Sequence, residues 1–102
     1  MILIIIGDKG SGKTYCARSL TQYSACDWRD DLNYEELVHN QHGIFKSCGA
    51  GETVILCIDS SLSKSEKVKV FKLLQEWSGW LTVCIVSSVN PDLVQRFIHE
   101  AT

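Results

Sequence analysis

The stretch "MILIIIGDKGSGKT", Met1–Thr14, decides how the rest of the chain is read. Its first six residues are apolar and mostly isoleucine. An unbroken run of this kind reads as a strand covered on both faces rather than on one. Gly7 follows at once, and "GDKGSGKT" then has the spacing G-x-x-x-x-G-K-[ST] of a loop that cradles phosphate. Glycines at 7, 10 and 12 admit backbone conformations that side chains oppose. Successive N–H groups can then converge on an anion, and the amino end of the following helix adds positive potential. In such a loop Lys13 reaches the β- and γ-phosphates, and the Thr14 hydroxyl joins the shell of a magnesium ion. Asp8, Lys9 and Ser11 fill the variable positions. The residues expected to meet the nucleotide are Gly7, Asp8, Lys9, Gly10, Ser11, Gly12, Lys13, Thr14 and Tyr15.

Two more apolar runs follow, "TVILCI" (Thr53–Ile58) and "WLTVCIV" (Trp80–Val86), and a short fourth strand is expected at "SACDW" (Ser24–Trp28). Helical stretches separate them, so the pattern is α/β with right-handed crossovers. The first helix is expected from about Gly12 to Tyr23. A second begins after Asn33, an N-cap with Glu36 three residues on, and ends before Gly43. Ser63 and Glu66 form a capping box for a third. Its inward stripe is Val70, Leu73, Leu74 and Trp77, and Gly79 stops it. Asn90 caps the last helix, Pro91 suits its first position, and Val94, Phe97 and Ile98 face the core.

With these segments placed, the chain resembles the P-loop NTPase superfamily over most of its length. Gly7–Thr14 matches the Walker A motif, and "VILCID", Val54–Asp59, is similar to a Walker B segment. The resemblance implies that Asp59 is the second metal partner beside Thr14. The polar "SSVN" after the third apolar run resembles the sensor segment of the branch with an additional strand (RecA-like, FtsK/HerA-like and AAA+ proteins). Ser87, Ser88 and Asn90 are then the sensor candidates. By length residues 1–102 make a single small domain, and the branch implies its fold. The implied fold is a three-layer α/β/α sandwich with a four-stranded parallel sheet of order 1-4-3-2, the Trp80–Val86 strand lying between the other two long ones. The chain departs from the branch at Ser60, where many members carry a glutamate that activates water. Asp30, Asp31, Glu35 and Glu36 are the alternative bases by position. Asp8 stands where ParA-like ATPases place an extra lysine. No N/T-K-x-D guanine signature occurs, so ATP with magnesium is the expected ligand.

Three function classes follow. A motor or switch ATPase, accessory to a nucleic-acid or assembly process, would use Lys13, Asp59 and an arginine finger from a neighbour, with Arg96 as first candidate and Arg29 as second. A small-molecule or nucleotide kinase normally needs more arginines than Arg18, Arg29 and Arg96. A binding module would hold nucleotide with little turnover. Domains of the RecA type continue to a fifth strand beside the first. Without one, "MILIII" is expected to be an exposed edge covered by a second copy or a partner chain. In economy of length the chain resembles compact viral or plasmid ATPases.

Composition narrows the partners. Apolar residues are 45 % and charged residues 22 %, with net charge −2, which opposes bulk electrostatic binding of nucleic acid. A local strip of Lys64, Lys67, Lys69 and Lys72 reads first as a solvated face and second as a contact for a phosphate backbone or an acidic partner. Of three tryptophans, Trp77 and Trp80 are expected in the core, leaving Trp28 to stack a base. His39, His42, Cys26 and Cys48 match no common zinc spacing. Five cysteines without C-x-x-C read as reduced thiols in a cytoplasmic setting, the host cytoplasm for a viral protein. No run approaches a membrane span, and the leading apolar run lacks the basic leader of a signal peptide.

Overall fold

The computed structural model describes residues 1–20, 26–29, 32–87 and 89–101. Its elements alternate: β1 (Ile2–Gly7), α1 (Lys13–Leu20), β2 (Cys26–Arg29), α2 (Tyr34–Gly49), β3 (Thr53–Asp59), α3 (Lys64–Trp77), β4 (Val83–Val86) and α4 (Pro91–Ala101). All strand pairs are parallel, and the sheet order is β2-β3-β1-β4. The expected four-stranded sheet of order 1-4-3-2 is therefore corrected. No strand separates β1 from β3. They pair directly from Ile2↔Val54 to Gly7↔Asp59, while β4 lies on the other side of β1. The reason is lateral: a polar tail such as "SSVN" marks the carboxyl end of a strand but not the side of β1 on which the strand pairs.

Two consequences follow from this order. First, β1 is interior, and Ile2, Leu3, Ile4 and Ile5 are wholly buried, so the exposed edge expected for "MILIII" does not exist. The argument for a covering partner that rested on that edge falls with it. Second, the chain moves one way across the sheet from β1 to β2, and the other way from β2 to β3 and from β3 to β4. Right-handed connections then put α1 on one face and α2 and α3 on the other. The core divides in that way. Ile2, Ile4, Val54, Leu56 and Ile58 pack with Leu37 and Ile44 of α2 and with Val70, Leu73, Leu74 and Trp77 of α3. Leu3, Ile5, Ile55 and Cys57 pack with Cys16, Ala17 and Leu20 of α1 and with Val94 and Ile98 of α4. Burying each such aliphatic side chain contributes roughly 1.5–3 kcal/mol before entropy is charged.

Several local expectations also shift. α2 runs through Gly43 to Gly49 rather than stopping before Gly43. A Cβ at Gly43 would lie 3.4 Å from an Arg29 guanidinium nitrogen, an ordinary contact, and Gly43 keeps a helical backbone without positive φ. Termination comes later, where Gly51 takes φ of 87° and leaves the helical path. His39 and His42 are consequently mid-helix, not at a carboxyl terminus. β4 begins at Val83, and Trp80 lies in the turn after α3, exposed rather than in the core. Its edge ring meets Phe45, which also contacts the buried Trp77. Phe97 is exposed too, while Val94 and Ile98 of the same helix are buried. The caps form as the sequence specifies: Asn33 Oδ1 accepts from Glu36 N at 2.9 Å, and Ser63 Oγ accepts from Glu66 N at 3.2 Å. No helix among the described residues is long and apolar enough to cross a membrane.

The strand order is testable by truncation. Ile4→Ala, in the middle of the sheet, should cost about 2–5 kcal/mol in urea unfolding. Ile85→Ala, on the half-exposed edge strand, should cost under about 1 kcal/mol. Equal costs would place β4 inside the sheet and contradict the order.

Candidate phosphate-binding site

The site forms where β1 and β3 end side by side. The chain leaves β1 towards α1 on one face and leaves β3 towards α3 on the other. Between two parallel strands whose connections diverge in this way, a crevice opens at the carboxyl ends. Gly7–Thr14 occupies the β1 side of it and Asp59–Ser63 the β3 side.

Each glycine in the loop has a separate physical reason. Gly10 and Gly12 take φ of 81° and 100°, a region that L side chains oppose. Gly7 is constrained by space instead: a Cβ there would lie 2.7 Å from Ser11 Oγ and 3.3 Å from the Lys13 stem. The loop closes through Ser11 N donating to Asp8 O at 3.0 Å, and α1 opens with Cys16 N donating to Gly12 O at 2.9 Å. Lys13, at the first position of α1, is 4 % exposed. Its Nζ donates to Asp8 O at 2.9 Å, which keeps the ammonium inside the loop's arc. Burial of a cation requires such an acceptor. Beside it lies a cavity of about 260 Å³ lined by Lys9, Gly10, Gly12, Lys13 and Thr14. This is below the roughly 300–1,000 Å³ of clefts that enclose a whole small ligand. It has the scale of a polyphosphate group.

Asp59 ends β3 opposite Gly7 and is half-buried. Its Oδ1 accepts from Ser61 N at 2.9 Å. The Ser61 hydrogen bonds, from backbone and then side chain, hold its pKa below the usual 3.8, and the positive charges of Lys13 and Lys9 add to this. The carboxylate is therefore ionised at neutral pH. Thr14 and Asp59 supply hydroxyl and carboxylate oxygens, the donor set that a magnesium ion takes. The loop's positive-φ glycines, its buried lysine and this oxygen pair fit a magnesium–phosphate group.

The remaining predicted residues scatter. Tyr15 is exposed on α1. Asn90 caps α4, its Oδ1 accepting from Asp92 N at 3.0 Å, and Ser87 is exposed after β4. Ser88, Asp30 and Asp31 lie outside the described residues. The segment after β4 does approach the loop, through Val89, whose Cγ2 is 4.0 Å from a Cβ built on Gly12. Arg96 is exposed on α4 and does not line the loop cavity. Arg29 is half-buried in β2 and donates to Asn40 Oδ1 of α2 at 3.2 Å, a structural partner for a finger candidate. Among the described residues no three His, Cys, Asp or Glu side chains converge as a metal cluster, and Cys48 Sγ instead reaches Met1 O. Burial raises the Cys16 thiol above its ordinary value, which leaves it unreactive inside the core. Sequence reasoning missed Ser60. Its N donates to Gly7 O at 3.0 Å, and its Oγ donates to Asp8 Oδ1. The only sequence signal was a small hydroxyl residue in place of glutamate.

A larger cavity of about 570 Å³ lies beside the site, between the amino ends of α2 and α3. Tyr34, Val38 and Leu62 give it apolar walls, and His39, Glu66 and Lys69 its polar ones. Tyr34 N donates to Glu66 Oε1 at 2.8 Å across it. Leu32 N donates to Cys57 O, fixing this crevice to the end of β3. Glu35 lines it, whereas Glu36 points its carboxylate at the Asn33 side chain.

No family model matches the chain, and no curated protein matches it. Among solved structures, a de novo designed protein of PFK fold, determined by solution NMR, is similar at a TM-score of 0.48 and 10 % identity. The similarity spans 97 % of this chain and 85 % of that one. At that level the likeness carries no argument.

The lowered Asp59 pKa has a sign. A carboxylate whose folded pKa is depressed adds stability above its unfolded value and loses it as pH falls through the folded one. Urea midpoints followed downward from pH 5 should fall more steeply for the native chain than for Asp59→Asn once pH drops below the ordinary 3.8. Parallel curves would remove the Ser61 hydrogen bonds from the account.

Proposed function

We propose that this chain binds ATP with magnesium through Gly7–Thr14 and hydrolyses its β–γ bond, as a small P-loop ATPase of the switch or motor kind. The observation that carries the reading is the direct register of Gly7 with Asp59, which joins a phosphate-sized loop to an ionised carboxylate. The loop amides and Lys13 would hold the phosphates and stabilise the charge that develops on them. Thr14 and Asp59 would hold magnesium, which when bound neutralises phosphate oxygens. Lys13 must exchange the Asp8 carbonyl for a phosphate oxygen, a substitution of one acceptor for a charged and stronger one. Adenine over guanine rests on the missing guanine signature. A homo-oligomer or partner supplying an arginine finger remains part of the proposal for turnover, with Arg96 on the outer side of α4 as the group offered to a neighbour.

Calorimetric titration with ATP and with GTP, with and without magnesium, tests the reading. Lys13→Ala should weaken ATP affinity about tenfold or more, the loss of a charged hydrogen bond. It should abolish turnover while far-UV circular dichroism stays unchanged. Undiminished turnover in that variant would refute the assignment.

A second reading, phosphoryl transfer to a small acceptor, is favoured by the crevice between α2 and α3. Leu62 in its wall is three residues beyond Asp59, so within about 11 Å of it along the chain. Under this reading ADP release from ATP should rise severalfold with one added nucleoside or nucleotide and fall back in Tyr34→Ala. A rate that no added acceptor changes leaves hydrolysis as the function.

A further inference from the structure

The two loops of the site are tied by a residue that neither motif specifies. Ser60 continues the β1–β3 ladder by one step, donating N–H to Gly7 O at 3.0 Å, and turns its hydroxyl to the Asp8 carboxylate. Asp8 is thereby held at two points. Its carbonyl accepts from Lys13 Nζ at 2.9 Å and from Ser11 N at 3.0 Å. Its carboxylate accepts from Ser60. Asp8 is also the sole acidic residue within Gly7–Thr14, so its carboxylate is the one side chain of the loop that repels an incoming phosphate and attracts Lys13 and Lys9. Left free on an exposed residue, that carboxylate would compete with phosphate for the same cations.

We propose that Ser60 is a positioning residue for the anion site: its hydroxyl holds the Asp8 carboxylate on the β3 side, so that Lys13 and Lys9 stay available to a phosphate. The inference rests on the phosphate-binding reading above. It explains why a hydroxyl residue follows Asp59 in a chain whose loop carries an aspartate at its second position. The serine serves the loop rather than water activation, and Asp8 and Ser60 act as one device.

The test is calorimetry of ATP with magnesium on the full chain, with a thermal melt recorded for every variant. Ser60→Ala should weaken binding about threefold to tenfold, the worth of one hydrogen bond. Ser60→Thr, which keeps the hydroxyl, should bind as the native chain does. The deciding variant is the double substitution Asp8→Asn with Ser60→Ala. It has lost the tie but also the charge, and its affinity should return to the native value. A fastening role alone would leave the double variant as weak as Ser60→Ala, and that result overturns the proposal, as does native affinity in Ser60→Ala. A native chain that binds no triphosphate overturns the phosphate reading and this inference together. Native binding that is lost in Lys13→Ala but untouched at Ser60 overturns the inference alone.

Discussion

The pairing of β1 with β3 is the constraint on which the site depends. It sets Gly7 opposite Asp59, and the next residue of each strand end starts a loop that leaves on a different face. A parallel ladder has a fixed spacing of about 4.8 Å between strands. Once the register is fixed, the amide loop and the carboxylate cannot drift apart without breaking the centre of the sheet. The buried run Ile2–Ile5 holds β1 at the centre of the sheet, with Ile2 and Ile4 packed on the α2–α3 face and Leu3 and Ile5 on the α1–α4 face. The hydrophobic core and the chemistry of the site are thus one mechanical unit.

Around that unit charged groups collect at one end of the sheet. The carboxyl edge of the sheet gathers Lys9, Lys13, Asp8 and Asp59, together with the amino ends of α1, α2 and α3. Anions are favoured at helix amino ends, and the chain already uses this internally, with Glu66 accepting from Tyr34 N at the start of α2. That contact ties α3 to α2 next to the larger crevice. Trp80 and Ile85, in the turn after α3 and on β4, are exposed apolar side chains, as are Tyr15, Val68 and Phe71 on the helices.

Much of this was legible residue by residue. The N-caps Asn33 and Ser63 were readable because a cap is local chemistry, decided within four residues. The glycine loop was readable because positive φ and crowding at Gly7 are demands on the residues themselves. Helix α2 was misjudged at Gly43 because one glycine with a helical backbone does not end a helix whose Leu37 and Ile44 are buried on both sides of it in sequence. Trp80 was misplaced because "WLTVCIV" is one apolar run in sequence, while the turn that ends α3 takes its first residues, Trp80 N and Leu81 N both donating to Trp77 O.

By itself the sequence determined the element types, the positions where glycine backbone freedom is used in the loop, and the carboxylate that ends the apolar run at Asp59. These are properties of short segments, fixed by backbone freedom, side-chain volume and periodicity. Only the tertiary structure decided which strand lies beside β1. The three long runs are alike in composition, so lateral order depends on contacts between distant segments rather than on any one of them. That choice removed the supposed open edge, brought Gly7 and Asp59 into direct register, and made Asp8 and Ser60 neighbours although 52 positions separate them in the chain.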